Sequence, residues 1–306
     1  MPAAALAPFY ATPAARLNLR ARAGLGLACL GAAGAPLAAR WIPDLTARLI
    51  CGVLIAAGLL ALCLACARLA PLRQFRALAC ALFIFAVVQV LNNTIPHYVA
   101  TYVLGESPTD ANPLASTVSG SVVIQLVETA VAILVLARLT GLDLASLYLR
   151  QRPGGRWLLG SIAVFVAVYA LIATSPLRPG SPIQQVLPTG ANLTFQRVLA
   201  LTPALLVMAL SNGFQEELLF RGLFLQRYTP FFGPGLANVL QAAVFTVAHV
   251  NVSYTPMLLV FLVAVVFPLG LLGGFLMRAS RGVVVPSILH GAFDIQIYLG
   301  FLASVP

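Results

Sequence analysis

The sequence predicts an all-helical bundle that crosses a membrane in eight or nine spans. Hydrophobic residues make up 60% of the 306 positions and charged residues only 8%, and the mean hydropathy is +0.97. A soluble globular domain carries about 25% charged residues, so this composition excludes a soluble protein. Each span needs about 20 apolar residues, and the chain is long enough for eight or nine of them with short loops.

Nine apolar runs follow one another along the chain, and each is expected to form a helix. They lie at about 24–39, 49–67, 77–95, 119–137, 157–174, 198–215, 235–252, 257–277 and 283–302. The first run is short, rich in alanine and glycine, and preceded by three arginines. This pattern fits either a span or a cleaved signal peptide, and the two alternatives lead to the same topology for the rest of the chain.

The loop charges predict which side of the membrane each loop faces. All 18 basic residues are arginines, and they concentrate in alternate loops at 68–76, 138–156 and 278–282. Because arginine-rich loops stay on the cytoplasmic side, these three loops are predicted to be cytoplasmic and loop 96–118 to lie opposite. The arginines form no basic patch, so we expect them to contact membrane lipid and not nucleic acid. The lysine-free, alanine-rich composition suggests an integral protein of the bacterial inner (plasma) membrane.

The cysteines are expected to be small buried residues. Five are present, an odd number, and all lie in or beside apolar N-terminal segments, which argues against a disulfide framework. Cys63 and Cys66 form a Cys-x-x-Cys pair, but the apolar surroundings and the lack of a second pair argue against a redox or metal site. The cysteines are Cys29, Cys51, Cys63, Cys66 and Cys80.

Ionisable residues in apolar segments are functional candidates, because a charge in hydrocarbon is costly. The first cluster is Gln215-Glu216-Glu217-Leu218-Leu219-Phe220-Arg221-Gly222. If these residues continue one α-helix, Glu217 and Arg221 lie four positions apart and pair, while Glu216 projects about 100° away. The alternative is an ordinary polar helix end.

Two segments with a histidine follow. Counting residues from the predicted turns places these histidines at the same depth in the membrane as the glutamates. A strong helix breaker at 230–234 predicts a hairpin in which Glu216 and His249 lie about 18 Å and 21 Å from the turn. His290 lies about 12 Å beyond the next turn on the same side, with Asp294 one helical turn later. A single histidine on an apolar helix is more often a packed core residue, but three polar groups at one buried level indicate a site.

The three motifs together resemble those of the CPBP family (CaaX proteases and bacteriocin-processing enzymes, also called the Abi family). They are Glu216-Glu217-x-x-x-Arg221, Phe245-x-x-x-His249 and His290-x-x-x-Asp294. The third motif has Asp where some members have Asn. The resemblance covers residues 198–302 and implies a protease core within a C-terminal region at 157–306, whereas the N-terminal region at 1–156 carries no motif that we can name.

The resemblance implies hydrolysis of a peptide bond in a peptide or membrane-protein substrate. Glu216, or Glu217, would take a proton from a water that His249 also holds, and His290 with Asp294 would stabilise the oxyanion. Members of the family have been described as both glutamate-dependent and metal-dependent. Glu216, His249 and His290 could alternatively bind a divalent metal such as zinc, although no His-Glu-x-x-His motif is present. We favour the interpretation without a metal or other cofactor.

Two other functions remain open at this stage. A non-proteolytic scaffold or bacteriocin-immunity protein on the same fold need not keep every motif residue, and this chain keeps them all. A transporter with a proton relay would favour inverted repeats and broken helices in matching halves, and the sequence has neither. Glu128, the remaining intramembrane acid, is expected to be a hydrogen-bonded packing residue beside Gln125.

Overall fold

The structure, a computed structural model, describes residues 17–98, 114–149, 154–174, 194–250 and 256–303. No strand is present within these ranges. The predicted all-helical class is therefore confirmed, and each of the nine apolar runs overlaps a helix. The α-helices are α1 Leu19–Ala39, α2 Leu45–Arg68, α3 Arg76–Tyr98, α4 Leu114–Thr140, α5 Gly155–Thr174, α6 Phe195–Glu216, α7 Leu223–Ala248, α8 Pro256–Phe261, α9 Phe267–Ser280 and α10 Val284–Ala303. Short 3₁₀-helices at Ala70–Phe75 and Leu144–Leu147 and π-helical turns at Glu217–Gly222 and Leu262–Val266 complete the chain order.

Six helical segments among the described residues are long and apolar enough to cross a membrane, so the chain is an integral membrane protein. They are Leu19–Ala39, Leu45–Arg68, Ala70–Ile95, Gly155–Ala173, Phe195–Ala248 and Leu258–Ser280, and Val284–Leu299 is a shorter apolar helix. The predicted count of eight or nine spans is not confirmed. Part of the difference arises because Phe195–Ala248 is one helical stretch that contains two of the predicted runs.

That long stretch turns back on itself at Gly233. Its φ of 75° and ψ of 167° are non-helical, and glycine adopts a positive φ without steric cost. The break lies within the helix breaker predicted at 230–234. Arg278 donates a hydrogen bond of 2.6 Å from Nη1 to the carbonyl of Pro234, so this turn lies beside the C-terminal end of α9.

The three arginine-rich loops meet at this end of the bundle. Nη2 of Arg76 donates to the carbonyl of Thr140 at 2.9 Å, and the amide of Val283 donates to the carbonyl of Tyr148 at 3.3 Å. These bonds join the loop regions 68–76, 138–156 and 278–282. Their shared end agrees with the predicted common side, and the assignment of that side to the cytoplasm stays a prediction.

Two hydrophobic clusters fill the described part of the bundle. The larger one joins α1, α2, α3, α4 and α7, and in it the ring of Phe85 lies edge-on to Phe220 and Phe224, with centroids 5.7 and 5.2 Å apart. The smaller one joins α5, α6 and α10. Because the larger cluster contains residues from both sides of position 156, the N-terminal helices pack directly on the helices that carry the motifs. The proposed boundary at 156 stays a prediction.

Two glycines allow α6 and α10 to approach closely. A Cβ added at Gly213 would lie 2.5 Å from the carbonyl oxygen of Ser287, and one added at Gly291 would lie 2.9 Å from that of Ala209. Small residues at a helix contact are typical of membrane bundles, where packing replaces the hydrophobic effect between helices. This contact lies one turn from Glu216 on α6 and beside His290 on α10.

One disulfide is present that the expectation of small buried cysteines did not include. Cys63 on α2 and Cys80 on α3 form a disulfide, with Cα atoms 5.1 Å apart. The short connection between the two helices makes them antiparallel neighbours, which brings together two cysteines that are 17 positions apart in sequence. An odd count does not exclude one bond, and Cys29, Cys51 and Cys66 remain free.

Candidate active site

The first motif lies on a π-helical turn and not on a regular α-helix. In Glu217–Gly222, which joins α6 to α7, the amide of Leu223 bonds to the carbonyl of Leu218, five residues earlier. The chain is helical here as predicted, but the wider turn changes the directions of the side chains. Such π-turns inside α-helices occur frequently at functional sites.

Glu217 and Arg221 form the predicted ion pair, which is almost completely buried. Nη1 of Arg221 lies 3.1 Å from Oε1 of Glu217, and the two side chains are 0% and 1% exposed. The guanidinium also lies 4.0 Å from the ring centroid of Phe245, where the negative face of the ring attracts a cation. Arg221 therefore links the first motif to the second.

His290 lies between the two glutamates. Its Nδ1 is 2.9 Å from Oε1 of Glu217, and its Nε2 is 3.5 Å from Oε2 of Glu216. The two carboxylates thus face different nitrogens of one imidazole, and the sequence did not predict the contact of Glu217 with His290. A carboxylate only accepts hydrogen bonds, so this arrangement favours the imidazolium form, with a proton on each nitrogen.

Asp294 occupies a more distant position than the sequence suggested. Its Oδ1 lies 3.8 Å from Nε2 of His290, which is an ion-pair distance and too long for a hydrogen bond. Its Oδ2 accepts a hydrogen bond of 3.1 Å from Nδ2 of Asn212. Glu217, and not Asp294, therefore fixes the orientation of the His290 ring. The sequence analysis missed Asn212, although it lies one helical turn before Glu216.

His249 caps the C-terminal end of α7 and faces Glu216 from the other side. Its Nδ1 lies 2.8 Å from the carbonyl oxygen of Phe245, which can only accept, so Nδ1 carries the proton. In the neutral ring Nε2 is then an acceptor, and it lies 3.7 Å from Oε2 of Glu216. That oxygen is buried and has no hydrogen-bond partner among the described residues.

The exposure of the side chains divides the site into two parts. The side chains of Glu216 and His249 are 19% and 31% exposed, whereas those of Glu217, Arg221, His290 and Asp294 are at most 7% exposed. Glu216 and His249 are thus the most exposed members of the site, and the other four are buried.

The described residues offer no clear metal site. No group of three or more His, Cys, Asp or Glu side chains in the described ranges is arranged to hold a metal ion. One nitrogen of His290 is already occupied by Glu217, and Nε2 of each histidine is more than 3 Å from Glu216. Metal binding by Glu216, His249 and His290 stays an untested prediction, and no catalytic step below passes through a metal.

Gly273 on α9 is a second residue that the sequence analysis missed. A Cβ at this position would lie 3.0 Å from both carboxylate oxygens of Glu217 and 3.1 Å from Nε of Arg221. A side chain at this position would therefore crowd the buried ion pair against α9. The sequence signal is present in hindsight, because Gly270, Gly273 and Gly274 form a stripe of small residues of the kind that marks close helix contacts.

Glu128 lies outside this site, and its expected role was wrong in one respect. Both of its carboxylate oxygens are buried, and neither has a hydrogen-bond partner among the described residues. The predicted bond to a neighbour such as Gln125 is therefore absent from this part of the structure. The neighbouring Thr129 instead accepts a bond of 3.4 Å from Asn92. His97 lies near the C-terminal end of α3, and its side chain is outside the described part of the structure.

The comparison with protein families supports the resemblance drawn from the motifs. Residues 198–296, about a third of the chain, match a family described as type II CAAX prenyl endopeptidase Rce1-like. The match contains all three motifs and confirms that this region is similar to the CaaX proteases. No curated protein and no solved structure gave a match.

Proposed function

We propose that this protein is an intramembrane endopeptidase in which Glu216 and His249 activate a water molecule. The observation that carries the proposal is the approach of Oε2 of Glu216 to Nε2 of His249 at 3.7 Å. Both atoms are hydrogen-bond acceptors, and they belong to the two most exposed side chains of the site, although Oε2 of Glu216 is itself buried. A water placed between two acceptors can donate one hydrogen to each, which directs its lone pairs outward to a substrate carbonyl.

Hydrolysis would then proceed by general-base catalysis. Glu216 removes a proton as the water oxygen bonds to the peptide carbonyl carbon, and the carbonyl oxygen becomes negatively charged. The same proton is then delivered to the amide nitrogen, the C–N bond breaks, and an acid and an amine leave. A positioned general base contributes about 10²–10⁴ to the rate.

His290 supplies positive charge from behind Glu216. Its side chain is only 3% exposed, so it acts through its charge and its contact with Glu216. That charge orients Glu216 and stabilises the negative charge that develops on the substrate, an effect that is strong where water is excluded. Asp294, held by Asn212, and the Glu217–Arg221 pair are positioning residues in this scheme.

The family match and the apolar spans suggest the setting of the reaction. A site built within membrane helices suits a peptide or a membrane-protein substrate presented from the lipid phase. We propose the bacterial inner membrane as its location and residues 157–306 as the catalytic region. The helices of 1–156 support that region through the larger hydrophobic cluster.

The test is cleavage of a panel of fluorogenic membrane peptides by purified wild type and by Glu216→Gln in the same detergent. The substitution keeps the side-chain shape and removes the base, so cleavage should fall about 10²–10⁴-fold while the melting temperature stays the same. Glu128→Gln is the matched control, since it neutralises another buried intramembrane carboxylate and should leave cleavage unchanged. If wild type cleaves peptides and Glu216→Gln cleaves them equally well, this site is not catalytic and the scaffold hypothesis takes its place.

A further inference from the structure

A polar pocket opens beside His249, at the end of the bundle opposite the arginine-rich loops. It has a volume of about 370 Å³ and is lined by Arg40, Trp41, Arg48, Asn93, Ala248, His249 and Val250. The loop between α1 and α2 forms one wall, and the C-terminal end of α7 forms another. His249 therefore belongs both to the water-activating pair and to this pocket.

Two guanidinium groups in the pocket have no acidic partner in the described part of the chain. Arg40 donates to the carbonyl of Val250 at 2.5 Å, and Arg48 donates to the carbonyl of Ile42 at 2.9 Å. Neither forms an ion pair with another described residue. Asp44, the acid nearest in sequence, instead caps α2 by accepting from the amide of Ala47 at 2.6 Å.

These bonds hold the arginines in place without neutralising them. Neutral backbone carbonyls leave the positive charges uncompensated, and partial burial lowers the pKa of the Arg40 guanidinium below its usual range. Arginine is well suited to recognise a carboxylate, because its planar fork can donate two parallel hydrogen bonds. An anionic group on a ligand would neutralise the charges of these two arginines.

We propose that Arg40 and Arg48 form a specificity subsite that binds a carboxylate of the peptide substrate. This inference rests on the proposed peptidase function, because His249 is common to both sites. A substrate anchored by its carboxylate here has its neighbouring backbone beside the Glu216–His249 pair. The carboxylate can come from a free chain terminus or from an acidic side chain, and both present the same chemistry to the arginines.

Binding can be measured without any cleavage. The chain has two tryptophans, and Trp41 lines the pocket, so Trp157→Phe leaves Trp41 as the only donor for energy transfer to a dansyl group. Adding Glu216→Gln keeps the peptide intact. Three dansyl peptides of one apolar sequence would be compared in detergent: one with a free C-terminal carboxylate, one with a C-terminal amide, and one with a C-terminal amide and an internal aspartate.

We expect at least one carboxylate peptide to bind about tenfold or more tightly than the amide peptide, as expected for a charge-assisted hydrogen bond. The preferred peptide identifies which source of carboxylate the pocket takes. Arg48→Gln should abolish the difference, and Arg40→Lys, which keeps the charge beside Val250, should retain part of it. Arg278→Gln is the matched control, because it removes an arginine that also donates to a backbone carbonyl, at the other end of the bundle.

Equal affinity for all three peptides would overturn the proposal, as would an Arg278→Gln effect as large as that of Arg48→Gln. A perturbation of Trp41 emission by anionic phospholipid that depends on Arg48, without any peptide selectivity, would show a lipid headgroup site and also overturn it. Because binding is measured on a variant without the catalytic base, these outcomes are independent of whether the wild type cleaves peptides.

Discussion

Nδ1 of His290 donates a hydrogen bond of 2.9 Å to Oε1 of Glu217, and this contact joins α10 to the turn that carries the first motif. The same oxygen lies 3.1 Å from Arg221, so one carboxylate oxygen faces two cationic groups. The charge of Glu217 is thus used within the protein, whereas Oε2 of Glu216 lies 3.5 Å from Nε2 of His290 and has no hydrogen-bond partner among the described residues. This difference separates a structural glutamate from a reactive one.

The two glutamates should therefore respond differently to the same substitution. Glu217→Gln removes the counter-charge of buried Arg221 and His290, and breaking a buried pair costs about 3–5 kcal/mol. Melting temperature and yield should fall together with activity. Glu216→Gln, measured alongside in the same detergent, should keep its melting temperature. A stable but inactive Glu217→Gln together with an active Glu216→Gln would reverse the assignment.

Asp294 should tolerate asparagine better than alanine. Asparagine keeps an oxygen that can accept the bond from Asn212, so we expect Asp294→Asn to retain cleavage within about tenfold of wild type. Alanine leaves the half-buried amide of Asn212 without its partner, which costs about 1–3 kcal/mol, and should lower both stability and turnover. Cleavage rates and melting temperatures of the two variants test this. Equal behaviour of the two would mean that the bond from Asn212 is irrelevant.

Gly273 should not accept even one methyl group. Because a Cβ there would lie 3.0 Å from the carboxylate of Glu217, Gly273→Ala should displace the ion pair and cost about 1–3 kcal/mol, as overpacking does. The control is Gly58→Ala in α2, where an added Cβ meets no atom within 4 Å. A thermal melt of both variants is sufficient. If Gly273→Ala melts at the same temperature as Gly58→Ala, α9 does not constrain the pair.

The positive charges predict one orientation in the membrane. Reporter fusions placed in loops 68–76, 138–156 and 278–282 should all report a cytoplasmic position, and a fusion in loop 96–118 should report the other side. The hydrogen bonds from Arg76 to Thr140 and from Val283 to Tyr148 place the first three loops at one end. An external position for loop 138–156 alone would contradict both the charge rule and this packing.

The sequence was sufficient for the features that depend on local pattern. Apolar runs located the helices, and spacing in residues placed Glu216, His249 and His290 at a common depth. Contacts that depend on the direction of a side chain were harder to predict from the sequence. The pairing of His290 with Glu217 required the π-turn, which no residue type announces. Asn212 and the Cys63–Cys80 bond required knowledge of which helices are neighbours, and sequence separation alone does not provide it.

The π-helical turn also limits how the chain can change in length. Residues on α6 and on the first half of α7 share one continuous helix, so their faces keep a fixed rotational phase across the turn. Deleting a single residue from Glu217–Gly222 would shift that phase by about 100° and turn Asn212 and Glu216 away from α10. The same deletion in a connecting loop would leave every helical face where it is. We therefore expect single-residue insertions and deletions to be tolerated in the loops of this protein but not in the segment that carries its first motif.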